Sequence, residues 1–267
     1  MNNWIHIDQH VKQWLKEARN AILTSLQTKL AIDTKANAND LVTNVDKETE
    51  QFFVHNIHSH YPTHRIIGEE GFGDIIETLD GIVWLIDPID GTMNFVHQKR
   101  NFFISIGIYE NGVGKLGYLY DVILDELYYA IAGEGAYFND VKLPLLQEGR
   151  IEEAIIGLNP FWIGSVSKVG NDSSKAFISL LNDVRGTRSY GSAAMELAYV
   201  ASGRMDAYIS MSLSPWDYAA GKIIIEELGG IVTNIAGEEI NILEKSSILA
   251  ARPGVHGVIL DRYLKNL

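Results

Sequence analysis

The chain contains no cysteine. That absence removes disulfides, thiolate metal sites and cysteine nucleophiles together, and it agrees with a reducing compartment. Basic residues are also scarce, 22 against 34 acidic, and the formal charge of −12 argues against nucleic acid as a partner, because phosphate-backbone binding draws on basic surface. No stretch approaches 18 uninterrupted apolar residues, so a membrane span is not expected. The opening residues Met1-Asn2-Asn3-Trp4-Ile5-His6 lack a basic segment running into an apolar one, so neither a secretory nor a transit leader is expected and the protein is placed in the cytoplasm. There is no G-x-S-x-G elbow and no H-E-x-x-H zinc motif. Chemistry is left to Ser, Thr, Asp, Glu and His.

What is present is a globular composition, 46% hydrophobic and 21% charged over 267 residues, enough for one large α/β unit or two domains sharing a cleft. The acidic excess has two readings. It can serve solubility, or some carboxylates can hold divalent cations, which would reverse the local sign and admit an anion. Their clustering decides between the two.

Apolar residues at Ile7, Val11, Trp14, Leu15, Ala18, Ile22 and Leu26 recur at three- and four-residue spacing and predict an amphipathic helix over 4–26. A polar loop at 35–39 precedes a second helix over 45–57, which places Asp46 at a helix start. A short strand from Arg65 runs into Gly68-Glu69-Glu70-Gly71, and the apolar run 81–86 reads as a buried central strand that delivers Asp87 at its end. Alternation over 102–109, 113–121 and 126–132, punctuated by Glu110-Asn111-Gly112 and Leu124-Asp125, describes an antiparallel meander. A turn-forming stretch near 142–149 is the domain-boundary candidate, giving an N-terminal α+β domain (1–146) and a C-terminal α/β domain (147–267). Beyond it strands are expected at 154–157, 207–211, 231–235 and 248–251, and helices at 173–181, 193–201, 215–228 and 255–264.

Three acidic motifs carry the chemistry. Asp87-Pro88-Ile89-Asp90-Gly91-Thr92 places two carboxylates three residues apart after a buried strand, with Pro fixing the backbone between them and Gly freeing it afterwards. Hard cations such as Mg²⁺ take carboxylate and carbonyl oxygens, so Asp87, Asp90 and the Ile89 carbonyl form a partial shell, and a helix starting at Gly91 and Thr92 would offer amides to a phosphate. The alternative is an Asp-Pro turn that merely closes a loop. Gly68-Glu69-Glu70-Gly71 adds two acids at another strand end, of which Glu69 is read as the inward one and an exposed acidic turn as the competing explanation. Pro215-Trp216-Asp217 opens a helix, where Asp217 could equally be a simple cap.

Taken together these motifs resemble the inositol monophosphatase family, within the lithium-sensitive, magnesium-dependent phosphatases that include fructose-1,6-bisphosphatases. The resemblance covers nearly the whole chain: Asp40-Leu41-Val42-Thr43-Asn44-Val45-Asp46, Ile67-Gly68-Glu69-Glu70, Trp84 through Asn94, and Trp216 through Gly221. It implies an αβαβα sandwich, a homodimer and phosphomonoester hydrolysis. It further implies that Glu69, Asp87 and the Ile89 carbonyl hold one Mg²⁺ and that Asp87, Asp90 and Asp217 hold a second, with a third, looser ion near Glu69 as an option. Gly91 and Thr92 would bind phosphate, while Glu69 or the Thr92 and Asp46 pair would orient the attacking water. Gly191-Ser192-Ala193 resembles the segment that contacts the alcohol part of the substrate.

One position departs from the family pattern. Seven residues before Asp217, members selective for inositol often carry Glu, whereas this chain has Ser210. The expectation is therefore inositol monophosphate or a related small ester, with NADP, phosphoadenosine phosphate or fructose 1,6-bisphosphate as alternatives, and a regulatory binding protein on the same fold as the reading from another class.

Several signals point elsewhere only superficially. Gly112-Val113-Gly114-Lys115-Leu116-Gly117 spells a dinucleotide fingerprint but lies between two expected hairpin strands. His55, His58, His60 and His64 read as a solvated helix end, and Tyr118, Tyr120, Tyr128 and Tyr129 as half-buried strand positions.

Overall fold

A computed structural model describes residues 4–27, 31–34, 41–162 and 171–265. The loop expected at 35–39 and Asp40 of the early motif lie outside the described residues. Helix α1 (Trp4–Ser25) buries the stripe Ile7, Val11, Trp14, Leu15, Ala18 and Ile22 that its periodicity predicts. A short antiparallel pair, β1 (Ile32–Thr34) and β2 (Leu41–Thr43), leads into α2 (Asn44–His60). This helix outruns the expected 45–57 because its polar tail continues the turn until Tyr61 and Pro62 stop it. No helix among the described residues is long and apolar enough to cross a membrane.

Strand β3 (Arg65–Gly68) runs parallel to β4 (Ile82–Asp90), and the meander follows as β5 (Phe103–Glu110), β6 (Val113–Asp121), β7 (Glu126–Ile131), β8 (Gly135–Phe138) and β9 (Val141–Lys142), all antiparallel to their neighbours. The last two are too short for alternation to reveal. Every residue of β4 is buried. Ile82, Trp84 and Ile86 enter the core shared with α1 and α2, whereas Val83 and Leu85 enter a second core on the opposite face. A strand covered on both faces has no polar side to show, which explains the continuous apolar run. Pairing with β5 persists past Asp87 to Asp90 across a register shift, so Asp87-Pro88-Ile89-Asp90 is a bulged strand end and β4 outruns the expected 81–86.

In the second half, β10 (Ile155–Leu158), α4 (Asn171–Asp183), β11 (Gly186–Arg188), α5 (Ala193–Ala201), β12 (Ala207–Leu213), α6 (Pro215–Glu227), β13 (Ile231–Thr233), β14 (Ser246–Ala251) and α7 (Val255–Ile259) follow, the last continuing as a π-helical turn over Leu260–Leu264. The second sheet has the order β11-β10-β12-β14-β13 among the described residues, with β11, β10 and β12 parallel. Leu197 and Val200 of α5 and Tyr218 and Ile224 of α6 share one core with Val83 and Leu119 of the first sheet and Tyr208 and Ile248 of the second. Phe177 and Leu180 of α4 with Val255 and Ile259 of α7 cover the outer face. The result is the five-layered αβαβα sandwich.

The middle helix α6 is pressed hard against the first sheet. A Cβ at Gly107 would stand 3.0 Å from the Ala219 Cβ, and one at Gly117 would stand 2.6 Å from the Ala220 carbonyl oxygen. Gly114 and Gly117 of the apparent dinucleotide fingerprint therefore exist for helix-on-sheet contact. Gly117→Ala should push α6 off the sheet and lower stability by about 1–3 kcal/mol, read as a lower urea midpoint at unchanged slope. A midpoint equal to the parent's would show that the helix has slack.

Candidate active site

Parallel strands deliver their C-terminal ends to the same edge, and β3 and β4 are the parallel pair of the first sheet, registered Gly68 to Ile86. The Glu69 amide donates to the Ile86 carbonyl at 3.2 Å, so Glu69 stands directly beside the start of the Asp87-Pro88-Ile89-Asp90 bulge. Across the interlayer, Ser105 of β5 donates its hydroxyl to the Trp216 carbonyl at 2.9 Å and Tyr109 donates to the Ala219 carbonyl at 2.9 Å. These bonds aim the N-terminus of α6, and with it Asp217, at the same edge.

The outcome is a cluster in which one oxygen each from Asp87, Asp90 and Asp217 lies within 4.8 Å of the others. Asp87 is 2% and Asp90 8% exposed. Burial pushes the Asp87 and Asp217 carboxyls well above the ordinary range, and repulsion among Glu69, Asp90, Asp87 and Asp217 adds to it. Burial raises Asp90 to about 6 although Ser192 and Ala194 hydrogen-bond its charged form. Glu69 adjoins the three and contributes to the repulsion on Asp87 and Asp90, but it is not within their tight group. Such a set of crowded oxygen donors fits a hard cation such as Mg²⁺.

Each carboxylate is oriented by its own element. The Asp87 Oδ1 accepts from the Ile89 amide at 2.9 Å. The Asp90 Oδ2 accepts from the Ala194 amide at 2.7 Å and from the Ser192 hydroxyl. Asp217 is the third residue of α6, and its Oδ2 accepts from the Ser214 amide at 2.8 Å in a capping box. Capping and membership of the cluster, rival readings of Asp217 in the sequence, hold together. Asp46 repeats the device at the start of α2: its Oδ2 accepts from the Thr43 amide at 2.9 Å, and its Oδ1 lies 3.2 Å from the Thr92 hydroxyl, which is also 3.1 Å from the Ile89 carbonyl. Burial raises the Asp46 carboxyl, and the charge of Glu69 raises it further.

Gly91 caps α3 (Thr92–Gln98) at φ +93°, and a Cβ there would stand 3.1 Å from Ser192 and 3.2 Å from the Asn101 carbonyl, so both backbone conformation and space require glycine. Gly191 is exposed beside it and Ala193 is buried. The Ser192 hydroxyl is committed, donating to Asp90 and accepting from the Met195 amide at 3.1 Å. Ser210 is 2% exposed and lies on the face of β12 that carries Tyr208, toward α5 and α6.

Among the buried acids that escaped the sequence reading are Glu50 and Glu196. Glu50 of α2 accepts from the Glu70 and Phe72 amides. Glu196 of α5 accepts from the Tyr190 amide at 2.9 Å, its Oε2 has no hydrogen-bond partner, and burial raises it to about 7. The available signal was spacing: Glu50 is four residues after Asp46, on the same buried face as Val45, Thr49 and Phe53.

Comparison with known proteins places this geometry. The sequence model of the inositol monophosphatase family matches residues 4–266. An inositol-1-monophosphatase of Bacillus subtilis (strain 168) is 55% identical over 264 residues, spanning 99% of this chain and 98% of the relative. Among solved structures, inositol monophosphatase II from Staphylococcus aureus MSSA476 superposes with a TM-score of 0.88 at 41% identity, covering 98% of this chain and 94% of that one. An IMPase/NADP phosphatase complexed with Mg²⁺ and phosphate superposes with a TM-score of 0.88 at 30% identity, covering 97% and 95%. A sequence match of this extent, on a five-layered fold with carboxylates converging near the ends of the parallel strands β3 and β4, makes the chain a member of the inositol monophosphatase family of phosphoric monoester hydrolases.

Proposed function

We propose that this chain hydrolyses inositol monophosphate or a related small phosphate ester with Mg²⁺ as cofactor, by direct attack of water and without a phosphoenzyme. The observation that carries the reading is the convergence of Asp87, Asp90 and Asp217, whose mutual repulsion and burial favour a cation among them. Glu69, Asp87 and the Ile89 carbonyl would hold one ion and Asp87, Asp90 and Asp217 a second, with a third near Glu69 as the optional addition. Bound there, Mg²⁺ supplies water activation and neutralisation of charge on the phosphate and the leaving oxygen.

The chain's own residues do the rest. The Gly91 and Thr92 amides, at the start of α3, hold phosphate oxygens. The Thr92 hydroxyl is within reach of both Asp46 and the Ile89 carbonyl; donating to Asp46, it accepts from an attacking water and orients it, and the raised Asp46 carboxyl is the proton's destination along that pair. Glu69 is the alternative orienting group. General acid or base work of this kind supplies about 10² to 10⁴ in rate, far below the ~10²¹ that phosphate monoester hydrolysis requires, which is why the metal-binding carboxylates dominate the design. The alcohol leaves against Gly191-Ser192-Ala193, and Ser210 is read as a further residue that selects it. In this reading residues 1–146 supply Glu69, Asp87 and Asp90, residues 147–267 supply Asp217 and the wall, and the protein works as a cytoplasmic homodimer, a state that light scattering tests.

A second reading, action on NADP, phosphoadenosine phosphate or fructose 1,6-bisphosphate, is favoured by one observation: Ser210 is short and uncharged where inositol-selective relatives often carry Glu. The solved neighbour described as an IMPase/NADP phosphatase supports it.

Phosphate release from inositol 1-phosphate, fructose 1,6-bisphosphate, NADP and phosphoadenosine phosphate should be chelator-sensitive, with Ser210→Glu shifting the ranking toward inositol 1-phosphate. No release from any of them would favour the regulatory binding protein. Asp90→Asn should abolish turnover while preserving the circular dichroism spectrum, and full activity would remove Asp90 from the machinery. Independently of turnover, Mg²⁺ at about 100 times its Kd should stabilise the parent by about 2.7 kcal/mol. Asp87→Asn should lose that gain in a thermal melt, and an equal gain in both proteins would place the ion elsewhere.

A further inference from the structure

Glu50 has no part in the chemistry above, yet it is fully buried and both of its carboxylate oxygens are taken by one loop. Its Oε2 accepts from the Glu70 amide at 2.6 Å and its Oε1 from the Phe72 amide at 2.8 Å. That loop opens at Gly68, where any Cβ would overlap the Glu50 carboxylate. Its far end is tied to β3 by Asp74, whose amide donates to the Ile66 carbonyl at 2.6 Å and whose Oδ2 accepts from the Ile66 amide at 2.9 Å. Between these ties stands Glu69, with its own amide on the Ile86 carbonyl. The charged acceptor on two neighbouring amides gives stronger and more directional bonds than a neutral one, and the loop has no helix or strand of its own to fix it.

We propose that Glu50 is a positioning residue that sets Glu69 beside Asp87 and thereby tunes the ion requirement of the site without touching substrate. The proposal rests on the reading of Glu69 as a metal-holding group. Asp46 and Glu50, one turn apart on α2, then address the two sides of the site from one helix face: Asp46 reaches Thr92 and Glu50 reaches the Glu69 loop. Groups that orient ligands from behind commonly change metal affinity by about 10–100-fold when altered.

Two variants probe the geometry by opposite routes. Glu50→Gln keeps the volume and replaces one acceptor with an NH₂ facing an amide donor. Gly68→Ala keeps the carboxylate but displaces it. For each, the Mg²⁺ concentration giving half-maximal phosphate release, the KM at saturating Mg²⁺ and the thermal midpoint in chelator are measured. Both should raise the half-activating Mg²⁺ concentration about tenfold or more, while KM stays near the parent's, and Glu50→Gln should add nothing further in a Glu69→Gln background. An unchanged Mg²⁺ requirement with only a lower midpoint would reduce Glu50 to a structural acid and overturn the proposal. So would additive shifts in the double variant, since Glu50 would then act elsewhere than through Glu69. If Glu69→Gln itself leaves the Mg²⁺ requirement unchanged, the reading of Glu69 fails and the proposal falls with it. A sensitive Glu69→Gln beside insensitive Glu50→Gln and Gly68→Ala overturns the proposal alone.

Discussion

Three carboxylates with oxygens inside 4.8 Å of one another repel, and the burial of Asp87 and Asp90 removes much of the water that would screen them. Two unit charges about 4 Å apart cost about 4 kcal/mol at the effective dielectric constant typical of protein surfaces. A folded chain tolerates such a concentration when each side chain is held independently and the charge is relieved by protonation or by a counter-charge. The local structure around the cluster serves those two needs. Raised carboxyl pKa values at Asp87, Asp90 and Asp217 express the same unfavourable charge in protonation terms.

The holding is done with ordinary backbone devices. Two helices begin with an Asp at their third position whose carboxylate bonds back to the cap residue, Asp46 to Thr43 and Asp217 to Ser214, so the helix start itself fixes the acid. Asp87 is fixed by an amide two residues on, and Asp90 by the start of α5. The sheet contributes the edge at which they meet, and α6 reaches that edge because glycines in β5 and β6 let it sit close. Function and stability are thus carried by the same bonds: the capping and interlayer contacts that support the layers also aim the acids.

Much of this was legible in the residues. The unbroken apolar run 81–86 announced a strand covered on both faces, and the stripe from Ile7 to Ile22 announced its covering helix. Asp87, Asp90, Glu69 and Asp217 stood out because each follows a strand or opens a helix. What stayed hidden depends on contacts across long sequence separations. Nothing local marks Pro88 and Ile89 as a strand bulge, since that is a matter of register with β5. Nor does anything local show that the Ser192 hydroxyl bridges Asp90 and the Met195 amide. Glu50 and Glu196 look like solvated helix acids, because burial of a charge is decided by the layers stacked on it and not by its neighbours in sequence. Strands β8, β9 and β11 span only two to four residues each, too few for periodicity to register.

The bonds that complete the site also join distant parts of the chain: Ser105 to Trp216 across 111 positions, and Asp90 to Ala194 across 104. Closing loops of that length costs chain entropy before any contact repays it, so these bonds belong to the late, cooperative stage of folding. The N-terminal sheet has its own nearest-neighbour pairings and gains its second core only when α5 and α6 dock. During synthesis the acids of β4 therefore emerge long before Asp217, and the nascent chain carries an incomplete acidic cluster that closes only when the middle layer arrives. The assembled cluster is in this sense a readout of completed topology, because its third carboxylate arrives with the element that joins the two sheets.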